Sequence, residues 1–413
     1  MNVNIICGDA LTELKKLPDE SVQCVVTSPP YFNLRDYGVD GQIGLEETHE
    51  EYIAKLVDVF RETRRVLRDD GTLWINIGDS YAGGGGFSIR SPSTTDSKSG
   101  QYGLQGALKE GGVKPQGKIK AKDLIGIPWR LAFALQEDGW YLRSDIIWHK
   151  PNAMPESVTD RPTKAHEYIF LLSKSRVYFY DHEAIKEKST DKQTIGGRSS
   201  LKATDHITQG GDQGYDGHRT RVGLMNMKTS GKAYPMCNKR SVWSIPFEGY
   251  GEAHFATFPA KLVEPCILAG TSGKGCCSEC GTSWKRVTEK VLLKEYEYRE
   301  IGIPGEGDQR GRRVGSMGES QYIPVGWEKS CKCDTSKDPV PSVVLDPFCG
   351  SAMVGIVATR HNRTFIGIEL NPEYVDMALR RIEDDAPLTN VLNAPRNDSL
   401  KGLPLFEDLE ETA

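Results

Sequence analysis

Short apolar runs alternate with helically spaced ones along most of this chain. Residues 3–7 and 22–27 are apolar and bounded by polar turns, the pattern of strands buried on both faces. A helix-like stretch, 10–17, lies between them. The spacing predicts a second helix over 50–68, where Ile53, Leu56, Phe60, Thr63 and Leu67 recur on one face; Thr48 and Glu51 form a capping box, and Gly71 is the expected stop. A strand over 72–77, a helix over 125–136 and strands over 142–148 and 168–172 follow. The pattern returns near the C-terminus with strands over 343–346 and 364–369 and helices over 354–360 and 372–382. This alternation implies an α/β fold with a parallel, doubly wound sheet built from both ends of the chain.

Composition limits the function classes. The 413 residues are 38% hydrophobic and 26% charged, and no apolar run is long enough to span a bilayer, which argues against a membrane role. The N-terminus lacks a secretory layout, so the expected location is the cytoplasm. The net charge of −5 is unevenly spread. Residues 83–122 hold seven Lys or Arg against two Asp or Glu, and residues 184–242 hold eleven against five. These Gly-rich segments carry +5 and +6, leaving −16 elsewhere. They suit flexible arms for a polyanion; solvated linkers are the plainer alternative.

Two stretches carry candidate chemistry. "VVLDPFCGSAMVGIVA" sets Asp346 at the end of an apolar strand, before a Gly-containing turn and a helix, where doubly wound sheets bind ligands. About twenty residues on, "FIGIELNPEY" ends a strand with Glu369, suited to a ribose diol, and Asn371 follows. The turn lacks G-x-G-x-x-G spacing, so S-adenosylmethionine fits better than a dinucleotide. The other stretch is Ser28-Pro29-Pro30-Tyr31, where two prolines stiffen the exit from a buried strand and hold carbonyls in a fixed frame.

Asp346-Pro347-Phe348-Cys349-Gly350-Ser351 resembles the cofactor motif, and Ser28-Pro29-Pro30-Tyr31 the catalytic motif, of DNA amino-methyltransferases. The catalytic motif comes first, as in the family's β class. The resemblance implies a Rossmann-like sheet, circularly permuted so that the catalytic half precedes the cofactor half. It implies S-adenosylmethionine as cofactor, held by Asp346, Pro347, Phe348, Gly350, Ser351, Glu369 and Asn371. Asp9 would contact the adenine ring, with Phe258, Pro259 and Leu262 beside the methionine. The substrate would be double-stranded DNA with its target base flipped out, at a cost of a few kcal/mol. Ser28 and the Pro29 carbonyl would accept the amine hydrogens, and Tyr31, with Phe32, would stack on the base. In the family Ser at the first motif position goes more often with cytosine N4, and Asp or Asn with adenine N6. Cytosine N4 is therefore favoured here, with adenine N6 the alternative. A homodimer and a cognate restriction endonuclease are further expectations of the resemblance. An RNA or protein amino-methyltransferase and an inactive DNA-binding regulator are the rivals. For the latter, the support is Ala352, Met353 and Val354 in place of the family's glycine and threonines, a change expected to weaken cofactor binding or shift the turn.

On this reading residues 1–183 form the catalytic half, including the basic loop 83–122, and 184–242 the target-recognition insertion. Residues 243–270 and 339–384 form the cofactor half, and 385–413 an acidic tail. Between the cofactor segments, residues 271–338 carry Cys277-x-x-Cys280 and Cys331-x-Cys333, which suit a structural zinc in a ribbon-like insertion. Free thiols are the alternative, and Cys276 could stand in for Cys277. Cys7, Cys24, Cys266 and Cys349 lie on apolar runs or turns and suit packing, and His149 and His166 suit structural roles.

Overall fold

The computed structural model describes residues 3–34, 36, 38–83, 119–188, 236–247, 258–296, 317–334 and 337–385. Most of both basic segments, including Arg219 and Arg221, and the acidic tail lie outside the described residues. The chain divides into a unit of residues 1–181 with 242–413 and a second unit of residues 182–241.

In chain order the elements are β1 (Val3–Cys7), α1 (Ala10–Leu14), β2 (Val22–Thr27), α2 (His49–Val66), β3 (Leu67–Ile77), α3 (Ile127–Glu137), β4 (Tyr141–His149) and β5 (His166–Ser173). The second unit contributes β6 (Glu187–Lys188), paired antiparallel with β7 (Met236–Cys237), and an Arg240–Glu187 ion pair. Then come β8 (Val242–Ser244), α4 (Ala260–Gly270), β9 (Lys285–Tyr296), β10 (Met317–Glu328), β11 (Val343–Asp346), α5 (Met353–Arg360), β12 (Thr364–Glu369) and α6 (Pro372–Asp385).

Eight strands form one sheet in the order β1-β12-β11-β2-β3-β5-β4-β8. The strands from the two ends of the chain meet at its centre, where β11 pairs in parallel with β2. All six residues of β2 are buried, because helices cover both faces. Val25, Leu73, Ile75 and Leu345 join one core cluster with Leu14, Leu56, Phe60 and Leu131 of α1, α2 and α3. Successive strand residues point the other way. There α4 comes so close that a Cβ on Gly270 would stand 2.6 Å from Cys24 Sγ and Thr72 Oγ1.

Two expectations need correction. The sheet is not wholly parallel, because β5 runs antiparallel to both β3 and β4. A parallel return needs a crossover, usually a helix, and the segment joining β4 to β5 contains none. Nor does Gly71 stop α2. The capping box of Thr48 and Glu51 starts that helix, but it ends at Val66, where Leu67 turns extended and begins β3. Gly71 lies inside the strand, and a side chain there would collide with Leu67 at 2.6 Å. Among the described residues no helix is long and apolar enough to cross a membrane.

Candidate active site

The strand ends at the centre of the sheet open into one cavity of about 220 Å³. On one side, β2 delivers Ser28, Pro29, Pro30 and Tyr31. The corner is rigid. The Pro30 carbonyl accepts a hydrogen bond from the Tyr52 hydroxyl at 2.7 Å, and the Asn33 N–H donates to the Gly44 carbonyl at 2.7 Å. Phe32 is drawn inward, 1% exposed and 5.3 Å from the Tyr52 ring, so it is a core residue and not a stacking surface. The reason is packing: Phe32 joins the core cluster that holds Tyr52 and Leu56 of α2. Tyr31 stays at the cavity, with its hydroxyl 2.8 Å from Glu167 Oε2 and 3.3 Å from Asn76 Oδ1. Burial, then the Glu167 charge, hold its phenol well above the usual tyrosine range.

Opposite stand the ends of β11 and β12. Glu369 accepts the Gly350 N–H on Oε2 at 2.8 Å and the Asn371 N–H on Oε1 at 2.9 Å. Burial raises this carboxyl above its ordinary range, opposed by those N–H donors. Gly350 has φ +51°, a left-handed turn that glycine adopts readily. Ala352 has φ +57°. A residue with a side chain thus holds a left-handed conformation here, its N–H bonded to the Cys349 carbonyl at 2.9 Å, at a conformational cost of roughly 1–2 kcal/mol. Asp9 reaches the same cavity from β1 while capping α1, its Oδ1 accepting the Thr12 N–H at 2.9 Å. Pro347, Phe348, Ser351, Asn371 and Phe258 complete this end.

Three residues from the sequence reading lie elsewhere. Leu262 is buried in α4, and Pro259 caps that helix; neither lines the cavity. Asp346 is 1% exposed and turned inward, accepting the Thr27 hydroxyl at 2.6 Å and the Phe348 N–H at 3.1 Å. It ties the end of β2 to the turn after β11. Burial pushes its carboxyl up to about 7, against the pull of Thr27. A folded-state pKa above the unfolded value means that the folded protein holds a proton the unfolded chain gives up. This group therefore costs stability as pH rises from about 4 to about 7, by a few kcal/mol at most. Asp346→Asn cannot ionise, so its melting temperature should gain on the wild type between pH 5 and pH 8. A gap that stays constant with pH would exclude this account.

The cavity wall also includes Asn76, Trp148, Lys150, Glu167 and Phe247, none of which the sequence reading singled out. Ligand-facing residues of parallel strands sit at their C-terminal ends. Because β5 is antiparallel, its first residues, His166 and Glu167, reach that rim instead. The available signal was a polar pair, His166-Glu167, opening an apolar run. Phe247 is set by Asn152, whose side chain bonds both its N–H at 2.8 Å and its carbonyl at 2.9 Å.

The four cysteines Cys277, Cys280, Cys331 and Cys333 bring their sulfurs within 4.8 Å of one another. They close the base of the antiparallel β9–β10 ribbon. Gly281, at φ +66°, returns its N–H to the Cys277 carbonyl at 2.9 Å. Cys276 stands apart, paired through its backbone with Val340. The knuckle docks on the sheet through Gln23, which donates to the Gly281 carbonyl at 3.2 Å, and Arg68, which bonds Thr282 at 3.2 Å. Gln23 lies near the start of β2 and Ser28 follows its end, so about 16 Å of strand separates the cluster from the cavity.

A family model described as DNA methylase, of the N6/N4 type, matches residues 22–277 and 334–380. The chain belongs to the N6/N4 DNA methylase family. It is 40% identical over 385 residues to the Type II methyltransferase M.Cfr9I of Citrobacter freundii, covering 93% of this chain and 88% of that one. With M.SmaI of Serratia marcescens it shares 39% over 378 residues, 92% and 90% of the two chains. The solved PvuII DNA methyltransferase, described as cytosine-N4-specific, is a looser likeness at 17% identity and TM-score 0.44, covering 94% of this chain and 92% of that one. This DNA methylase is a DNA amino-methyltransferase, as the motif order implied.

Proposed function

We propose that this DNA methylase binds S-adenosylmethionine at the Gly350–Glu369 end of the cavity and a flipped base of double-stranded DNA at the Tyr31 end, with cytosine N4 the favoured acceptor. One observation carries the reading: the catalytic and cofactor motifs, more than 300 residues apart, line one cavity because their strands are adjacent. The residues fit the cofactor. A carboxylate has about four acceptor sites, and Glu369, which takes the Gly350 and Asn371 N–H groups on separate oxygens, keeps acceptor capacity for a ribose diol. Phe258 and Phe348 offer apolar walls, and Asp9 and Asn371 polar ones.

When bound, S-adenosylmethionine supplies an electrophilic methyl group on a sulfonium. The chain's own task is alignment and hydrogen-bond acceptance. An exocyclic amine is a weak nucleophile while its lone pair is delocalised into the ring. The Ser28 hydroxyl and Pro29 carbonyl accept the two amine hydrogens and favour the pyramidal form. Pro30 is the poorer candidate, since the Tyr52 hydroxyl already takes one of the two lone pairs of its carbonyl. Tyr31 stacks on the extruded base and offsets part of the unstacking cost.

Labelled methyl transfer to duplex DNA, followed by nucleoside mass spectrometry, tests the reading. 4-Methylcytosine is the expected product; 6-methyladenine would overturn the choice of base, and no transfer the whole proposal. Glu369→Ala should weaken cofactor binding by about 10- to 100-fold in calorimetry, because it removes the ribose acceptors and frees the Gly350 turn. Unchanged affinity would reject its assignment. Since M.Cfr9I and M.SmaI carry Type II names, we also place this enzyme in a restriction-modification pair. DNA from expressing cells should then resist a cognate endonuclease. The cysteine cluster is proposed to hold a structural zinc: its four sulfurs are close enough to share one ion, and thiolates are the ligands zinc prefers.

A further inference from the structure

We propose that Glu167 is the positioning residue for Tyr31: its carboxylate, clamped by Lys150 and Asn76, holds the phenol hydroxyl and so fixes the plane on which the flipped base stacks. The inference rests on the reading of Tyr31 as that platform.

Tyr31 is held at two points. One side of the ring lies against Gly78, where a Cβ would come within 2.7 Å of Tyr31 Cε2. At the far end the hydroxyl donates to Glu167 Oε2 at 2.8 Å. An aromatic ring gripped at both its edge and its tip cannot tilt without breaking that hydrogen bond.

Glu167 is itself fixed. Its Oε1 is paired with Lys150 Nζ, and Oε2 also accepts from Asn76 Nδ2 at 3.3 Å. The Asn76 amide is oriented by the Tyr168 carbonyl at 3.2 Å, and the Lys150 ammonium lies 4.2 Å from the centre of the Trp148 ring. The carboxylate thus has a partner on each oxygen: Asn76 lies in β3 and Lys150 directly follows β4, the two strands that flank β5 in the sheet. A phenol held above its usual pKa keeps its proton and remains the donor that this arrangement requires.

A double-mutant cycle on the full-length enzyme, with an unmethylated duplex and S-adenosylmethionine, tests the proposal. Tyr31→Phe keeps the ring and removes the hydroxyl. Tyr31→Phe and Glu167→Ala should each lower kcat by about 10- to 100-fold, the scale of an ångström-sized misplacement, with cofactor KM little changed. The double variant should be within about twofold of Tyr31→Phe alone, since both changes cut the same link. Glu167→Gln, which keeps an acceptor, should recover most of the loss and serves as the second arm if Glu167→Ala melts early. Multiplicative losses, or no loss in folded Glu167→Ala, would overturn the proposal. If the wild type transfers no methyl to DNA, the functional reading fails instead, a distinguishable result.

Discussion

Tyr31→Ala should lower kcat for DNA methylation by about 100-fold or more, while the affinity for S-adenosylmethionine in the absence of DNA stays within about threefold. The separation follows from where the ring sits. Tyr31 lies at the β2 side of the cavity, anchored to Gly78 and Glu167, whereas the carboxylate and N–H groups suited to the cofactor come from β11, β12 and β1. Losing a stacking partner costs about 1–3 kcal/mol per base, and a base held without its platform also loses alignment with the methyl donor. Single-turnover rates together with calorimetry on the free enzyme separate the two effects. Equal loss of rate and cofactor affinity would mean that Tyr31 shapes the cofactor end, and the assignment would fall.

Removing the proposed zinc should have the largest effect on stability. Gently purified protein is expected to contain about one zinc per chain, and chelation or Cys277→Ser should loosen the β9–β10 ribbon and lower the melting temperature by several degrees or more. Structural zinc sites contribute apparent binding free energies of about 10–16 kcal/mol in small peptides, and a two-stranded ribbon has little core of its own to replace that. Arg286 of the ribbon pairs with Asp181 at 2.8 Å, and its guanidinium lies 4.4 Å from the ring centre of Trp327 on the paired strand. Because the cluster meets the sheet near the start of β2, the wild-type kcat should persist in the chelated enzyme below its new melting point. Elemental analysis, hydrogen exchange on the ribbon and kcat before and after chelation check all three parts. Absence of metal would remove the site, and a collapse of kcat without unfolding would remove the claim that it is structural.

Much of the fold was legible in the pattern of apolar residues. The strands at 343–346 and 364–369 match β11 and β12, and Thr48 with Glu51 started α2 as local capping chemistry requires. The two motifs were legible because each is a continuous stretch at a strand end. Gly71 misled because a glycine after a helical run reads as a C-cap, while here β3 had already begun and needed a residue without a side chain against Leu67. Phe32 misled because two adjacent aromatics look alike in sequence, and only Tyr52 shows which one the core takes. The carboxylate of Asp346 was visible as chemistry, but not its use in joining Thr27 to the turn.

The sequence by itself determined most strands and helices at the two ends of the chain, though not β8 or α4, together with which short motifs carry acceptors, carbonyls and thiols and in what order they come, because those properties depend on neighbours a few residues away. Only the tertiary structure decided the direction of β5, and with it the arrival of Glu167 beside Tyr31 and Lys150. Strand direction is set by hydrogen-bond ladders between distant segments and by the path of the connection. A period-two pattern reads the same from either end.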